Sequence, residues 1–521
     1  DLHSFPTRRS SDLRTLAGAS YGAYKLSAYT KKRLLNLKCA IASSYWSLPL
    51  KAFIVLSVPC LVFLTARGTL SMFPLGSFYT QISPNSFINN ISISSVHALS
   101  DALYAKSEQS GNKIDLSRKL GIDRTKLDLS VFRKITPANE CAGEMKPNVV
   151  FIILESFGEA PLLFDSADFN VLGGLKKHFE QDTVLYNFVA AGRITIHCLE
   201  STVLNMPQRP LSLQITQSPL AFNGYASAAA LPYRNAGYET KAVYGGSLSW
   251  RGIENFFKAQ GFDATYGEGS IKNEYRHQWG INDAQFFEIV LRELKASADK
   301  PKFIYAMSTG THPPYEIPPY YKPLPLNIPQ ELARMMPGEK KYGKKIFETY
   351  QFANNEAAKF LDKVKNSHLA DNTIIVITGD HNLREINPPL TGDLFKKYAV
   401  PAYIYMPEKI KREIDPGISG CHMDIMPTLY ELSLTETEYI AAGVSLLGKS
   451  EEHIAFNSEG FILSADKAVL YNIAADEARY FNFDAKTKTV SETGYTQRHG
   501  EMLKYYKEIM ASSDIYLNTK K

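Results

Sequence analysis

The sequence predicts an α/β domain on a mostly parallel sheet with helices on both faces, preceded by at least one membrane-spanning helix. Three observations carry this. Short continuous apolar runs recur beyond residue 148: "NVVFIIL", "KAVYGG", "KFIYAMSTG" and "NTIIVITGD". Helical stretches such as "DAQFFEIVLRELKASA" and "ETYQFANNEAAKFLDKVKNS" alternate with them. Strands apolar on both sides, joined through helices, call for a parallel sheet covered on both faces. The third observation is "AFIVLSVPCLVFLTA" at 52–66, fifteen residues without a charge.

Taken in chain order, the first thirteen residues, "DLHSFPTRRSSDL", read as the translation of a common sequencing adapter and are set aside from the fold as an artefact. Residues 14–67 are expected to be a cytoplasmic basic segment followed by a transmembrane helix at about 47–66, with Lys51 snorkelling. The segment 14–51 carries Arg14, Lys25, Lys31, Lys32, Arg33, Lys38 and Lys51 and no acidic residue. That asymmetry places its side in the cytoplasm, and the rest of the chain outside the plasma (inner) membrane. Residues 68–145 read as an extracytoplasmic connector, with a helix around "SSVHALSDALYAKSE". The catalytic domain is expected over 146–450, with C-terminal strands and a helix over 451–521.

Composition narrows the function. A net charge of +5 over 521 residues gives no argument for nucleic acid. Five cysteines (Cys39, Cys60, Cys141, Cys198, Cys421) have no zinc-ligand spacing and form no disulfide framework.

In open α/β sheets, ligands bind beyond the carboxyl ends of the strands. The residues following each apolar run are therefore the informative ones. Glu155 follows "NVVFIIL"; Trp250 and Arg251 follow "KAVYGG"; Thr311 and His312 follow "KFIYAMSTG"; Asp380 and His381 follow "NTIIVITG". Singly, each has an ordinary explanation as a helix cap or a satisfied surface group. Delivered together to one rim, they predict a metal site. Oxygen ligands with an imidazole suit a hard or borderline divalent ion (Mn2+, Mg2+ or Zn2+), which can activate a hydroxyl at neutral pH. The hydroxyl is expected from "AAGRITIHCLESTVLNMP", which offers Thr195, Ser201 and Thr202.

"NVVFIILESF", "GRIT", "SWRG", "GTHPPY", "GDHN" and "HMDIMPTLYEL", in this order, resemble the sulfatase-like branch of the alkaline phosphatase superfamily. The strongest likeness is to lipoteichoic acid synthases and related phosphoglycerol transferases. The resemblance implies one divalent metal, usually Mn2+, held by Glu155, Thr195, Asp380 and His381, with Thr195 as catalytic nucleophile. It implies substrate contacts from His312, Trp250 and Arg251, and a second-metal or phosphate contact, or a structural role, for His422. The implied reaction passes a phosphoglycerol-type head group from a phospholipid, phosphatidylglycerol favoured, through a phosphothreonine to an acceptor in the cell envelope, a glycan or another lipid. Two departures stand out. The usual Gly-x-Thr is here Gly192-Arg-Ile-Thr195, and Trp250 and Arg251 are adjacent rather than separated by one residue. Competing readings are a phosphoethanolamine transferase, a sulfatase or phosphodiesterase-type hydrolase, and a non-catalytic envelope-binding protein. The sulfatase reading needs a C/S-x-P-S-R motif; "CLEST" from Cys198 lacks its Pro and Arg.

Overall fold

The computed structural model describes residues 47–67, 115–272, 275–296, 299–336, 342–387, 392–448 and 453–519. By its contacts the chain divides into two units, Asp1–Leu75 and Gly76–Lys521. The basic segment 14–46 and the helix expected around 94–108 lie outside the described residues. The segment expected to span the membrane is helical, α1 (Leu48–Arg67), with Pro59 inside it. Among the described residues, however, no helix is long and apolar enough to cross a membrane. The 20 residues of α1 would cover about 30 Å, but Lys51 and Arg67 confine its uncharged run to fifteen residues, roughly 22 Å of a ~30 Å hydrocarbon core.

In the second unit seven strands form the central sheet: β1 (Asn148–Leu154), β2 (Thr183–Leu185), β3 (Glu239–Tyr244), β4 (Ala264–Tyr266), β5 (Lys302–Met307), β6 (Thr373–Gly379) and β7 (Ala402–Tyr405). Their order is β2-β7-β6-β1-β5-β3-β4. The five strands from β6 to β4 run parallel, and β7 runs antiparallel to both β6 and β2. The four apolar runs of the sequence are β1, β3, β5 and β6. The shorter β2, β4 and β7 carry too few residues to give a periodic signal.

Every residue of β1, β5 and β6 is buried. Alternate side chains feed two separate cores: Val149, Phe151 and Ile153 on one face, Val150, Ile152 and Leu154 on the other. Helices α2 (Thr195–Leu204) and α5 (His422–Ser433) contribute Ile196, Leu199, Ile425 and Leu429 to the first core. Helices α3 (Asp283–Lys295) and α4 (Lys344–Lys365) contribute Phe286, Ile289, Phe347 and Leu361 to the second. Two-sided coverage explains why these strands read as unbroken apolar runs rather than as alternating patterns.

Beyond this sheet, β8 (Ala455–Phe456), β9 (Phe461–Leu463), β10 (Lys467–Asn472), β11 (Glu477–Asp484) and β12 (Thr489–Glu492) form an antiparallel meander, followed by α6 (Gln497–Asn518). Phe456, Phe461, Met502 and Tyr506 belong to the same core as α2 and α5. The C-terminal strands thereby share one hydrophobic interior with one face of the central sheet.

Candidate metal centre and its threonine

Strand register builds the site. β1 and β6 pair in parallel with Leu154 opposite Gly379, so the next residues, Glu155 and Asp380, leave the same edge side by side. β5 pairs on the other side of β1 with Met307 opposite Ile153. Its continuation brings the Ser308 hydroxyl 3.0 Å from the Glu155 N–H, which donates to it. Gly379 is required here, because a Cβ at that position would lie 2.1 Å from the Phe157 carbonyl oxygen.

Ligand atoms of Glu155, Asp380 and His381 lie within 4.8 Å of one another, and all three residues are buried. The Asp380 Oδ1 accepts the backbone N–H groups of Ser156 (2.7 Å) and His381 (2.8 Å). Its Oδ2 has no hydrogen-bond partner among the described residues. The His381 Nδ1 lies 2.7 Å from the Asn382 carbonyl, which as an acceptor holds the ring proton on Nδ1. Nε2 then keeps its lone pair; it too is buried without a hydrogen bond, 3.3 Å from Asp380 Oδ2 and 3.6 Å from Glu155 Oε1. Burial and the neighbouring Asp380 push the Glu155 carboxyl well above the usual carboxylate range, while Arg384 pulls the other way. Two buried carboxylates on adjacent strands, with orphaned lone pairs converging, cannot both carry charge without a cation between them. The residues present fit a divalent ion.

Thr195 opens α2, and its hydroxyl donates to Glu155 Oε2 at 3.2 Å. The other carboxylate oxygen, Oε1, accepts from the Ser156 hydroxyl at 2.9 Å and lies 3.2 Å from His312 Nδ1. Glu155 therefore touches the threonine, a serine and two imidazoles. Burial, with Arg384 and His381 nearby, holds the His312 imidazole well below its usual range. Ser201 and Thr202 are occupied elsewhere. The Ser201 hydroxyl accepts from the Gln208 N–H, and Thr202 donates to the Cys198 carbonyl beside the Tyr305 hydroxyl. Cys198 is itself fully buried within α2, where burial pushes its thiol up.

Trp250 and Arg251 make their contacts with residues outside the cluster. Trp250 stacks on Tyr244 with ring centroids 5.7 Å apart, and the Arg251 guanidinium lies over Trp250 and donates to Gln217. Neither hydrogen-bonds Glu155, Thr195, Asp380 or His381. His422 lies at the start of α5, fully buried; its Nδ1 accepts from the Ala191 N–H at 3.0 Å, leaving the proton on Nε2. Burial pushes this imidazole down to about 4, against the pull of the Gly379 carbonyl and Asp380. In the same motif, Asp424 caps α5 by accepting from the Cys421 N–H at 2.8 Å.

Several contributors have no sequence signal. Ser156 takes a positive φ of 56° to reach Glu155. Trp279 packs 4.3 Å from the His312 ring and donates through its indole to the Pro313 carbonyl at 2.7 Å. Ser458 and Glu459, from the C-terminal sheet, hold the chain just before Thr195. Both the N–H and the hydroxyl of Ser458 donate to the Ala191 carbonyl at 2.9 Å, and the Arg193 N–H donates to Glu459 at 3.1 Å.

The family model described as Sulfatase matches residues 147–433, more than half of the chain. The chain belongs to the sulfatase family. This sulfatase-family chain is 24% identical over 255 residues to lipoteichoic acid synthase 1 of Bacillus subtilis, covering 46% of this chain and 38% of that protein. It is 26% identical over 155 residues to phosphoglycerol transferase I of Salmonella arizonae, covering 28% of this chain and 19% of that one. It thus spans well under half the length of these curated relatives. The fold matches the crystal structure of the lipoteichoic acid synthase LtaP from Listeria monocytogenes at a TM-score of 0.60 and 16% identity, over 78% of this chain and 98% of that one. It also matches an alkaline phosphatase superfamily protein from Vibrio parahaemolyticus at a TM-score of 0.60 and 19% identity, over 78% and 95% of the two chains.

Proposed function

We propose that this protein is a metal-dependent transferase that moves a phosphoglycerol-type head group from a phospholipid to an envelope acceptor through Thr195. The observation that carries the reading is the 3.2 Å hydrogen bond from the Thr195 hydroxyl to a carboxylate of the candidate metal cluster. Glu155, Asp380, His381 and Thr195 would hold the ion, with Mn2+ favoured and Mg2+ or Zn2+ as alternatives. When bound, the ion supplies positive charge that offsets the phosphoryl oxygens and lowers the pKa of a nearby hydroxyl.

The chain's own residues do the rest. Glu155 orients the Thr195 Oγ1, and the first turn of α2 favours the negative charge that develops there. Thr195 Oγ1 forms a bond to phosphorus as the bond to the diacylglycerol oxygen breaks, and diacylglycerol leaves with a proton. His312, beside Glu155 and backed by Trp279, is positioned to contact the phosphoryl group, and Arg251 the head group. His422, with its proton on Nε2, suits a donor role better than a ligand role. The deeply buried Cys198 speaks against a sulfatase nucleophile. A lipid donor requires a membrane. Phe53, Leu56, Leu61 and Phe63 on α1 each expose 64% or more of their surface, which suits attachment to lipid at the outer side of the plasma membrane.

The test is the full chain with Mn2+ and phosphatidylglycerol in mixed micelles. Diacylglycerol is expected to be released, with a phosphoglyceryl adduct on Thr195 by mass spectrometry. An adduct on Ser201 or Thr202 would overturn the nucleophile, and release from phosphatidylethanolamine alone would turn the reading to a phosphoethanolamine transferase.

A further inference from the structure

A groove of about 610 Å3 opens beside the turn that carries Thr195. Its walls come from three places: Arg193 and His197 flanking the start of α2, the loop around Leu211, Ser212 and Gln214, and strands β10 and β11 of the C-terminal sheet. The volume lies within the roughly 300–1,000 Å3 of small-molecule sites. The grip of Ser458 and Glu459 on residues 191–193 ties this wall to the nucleophile, and both residues also line the groove. We propose that the groove binds the acceptor, and that the acceptor is an uncharged, polyhydroxylated chain of the carbohydrate kind. This rests on the transferase reading and deepens it.

Charge decides the acceptor class. Two guanidiniums line the groove, and both are already spent on carboxylates. Arg193 binds Glu459 through its N–H at 3.1 Å and its Nε at 2.5 Å; Arg479 binds Glu492 at 3.0 and 2.9 Å. The carboxylate of Glu477, also in the lining, has no ion pair among the described residues. Among the described residues of the lining, a polyphosphate chain would therefore meet an unpaired carboxylate and no cation without a carboxylate partner, which selects against it. Hydroxyl groups find better partners. The side chains of Ser212 and Gln214 make no hydrogen bond among the described residues and offer both donors and acceptors. Leu211, 47% exposed, and the half-buried Leu470 supply the apolar surface that the C–H face of a sugar ring covers. His197 joins the groove to the turn before Thr195: its Nδ1 is buried without a hydrogen bond among the described residues, packed against Gly192, where a Cβ would come within 2.6 Å of it. In the step the groove would serve, an acceptor hydroxyl oxygen bonds to the phosphorus held on Thr195. The P–Oγ1 bond breaks, and the acceptor's proton ends on Oγ1.

The experiment uses the full chain with Mn2+ and phosphatidylglycerol, with glucose tetrasaccharide and a poly(glycerol phosphate) chain as competing acceptors. Transfer is expected to go to the tetrasaccharide. Ser212→Trp, which fills the groove, and Gln214→Ala, which removes an amide, should lower the ratio of transfer to hydrolysis about tenfold and about threefold. Transfer to poly(glycerol phosphate) alone, or an unchanged ratio in Ser212→Trp, would overturn the proposal. If no phospholipid yields diacylglycerol even without acceptor, it is the transferase reading that fails. The groove is then judged by titrating the tetrasaccharide calorimetrically into the unmodified chain and Ser212→Trp. Binding lost in the variant supports a carbohydrate site, and no binding to either rules it out.

Discussion

Two kinds of segment leave the carboxyl edge of the same sheet and end differently. After β1 and β6 the candidate ligands follow immediately, and Glu155, Asp380 and His381 converge with Asp380 Oδ2 and His381 Nε2 left without a hydrogen bond among the described residues. After β3 the chain runs six residues to Trp250, and its two side chains stack and bond locally, on Tyr244 and Gln217. A side chain one residue past a paired strand inherits the precision of the ladder. One carried by a loop takes whatever partner lies near and reaches a ligand only after reorganising. On the proposed function, the side chains after β1 and β6 carry chemistry that cannot be lost, and those after β3 carry affinity that can.

The largest effect should come from Thr195→Ala. Diacylglycerol release is expected to fall on the order of 10^4-fold, as for loss of a nucleophile from a catalytic unit, while calorimetric Mn2+ affinity falls far less. Comparable activity in the two proteins would show that the hydroxyl beside Glu155 is a bystander. Asp380→Asn comes next. It removes charge from the cluster but keeps its shape, and Mn2+ affinity should fall at least ~100-fold, beyond the roughly 10–100-fold typical of outer partners. Ser308→Ala, which deletes the acceptor for the Glu155 N–H along with the hydroxyl's hydrogen bond to Asp283 but no candidate ligand, supplies that milder reference. Equal losses from the two would erase the distinction between ligand and support.

Arg251→Ala sharpens the contrast from the other side. Its guanidinium touches no cluster residue, so Mn2+ binding should be unchanged while KM for phosphatidylglycerol rises about tenfold, in line with the ~1.5–3 kcal/mol of a charged hydrogen bond. A variant that loses metal instead would mean that the two segments are one site.

The same contrast explains what was legible in the sequence. Fully buried strands announce themselves as "NVVFIIL" and "NTIIVITG", and a parallel register carries the next residue to the shared edge, so Glu155 and Asp380 could be paired from pattern alone. The membrane-spanning expectation rests on an apolar run that Lys51 and Arg67 cut to fifteen residues within the longer helix. Ser156, Trp279, Ser458 and Glu459 left no trace, because each acts through a tertiary contact between segments distant in the chain or through a local backbone angle. The merging of the C-terminal sheet with the core of α2 was invisible for the same reason: Phe456 and Phe461 look like any strand residues until their neighbours are known.

His312 is an intermediate case, and it supplies the smallest effect on activity. It arrives on a loop, yet that loop is clamped. At Gly310 a Cβ would lie 1.9 Å from the Asp283 Oδ2 at the start of α3, so backbone and carboxyl are in contact. Burial, with Glu356 adding to it, raises the Asp283 carboxyl to about 7. The folded chain then holds this proton between about 4 and 7, whereas the unfolded chain, near the ordinary 3.8, releases it. Its contribution to stability is present in full below about pH 4, declines as pH rises to about 7, and is level above. Asp283→Asn cannot titrate. The melting temperature of the wild type relative to this variant should therefore drop across that window, by the equivalent of ~4 kcal/mol, with little change in rate at pH 6. Melting curves that stay parallel from pH 4 to 7 would mean that Asp283 is ionised in the fold. The loop carrying His312 would then be as loosely held as the one carrying Arg251.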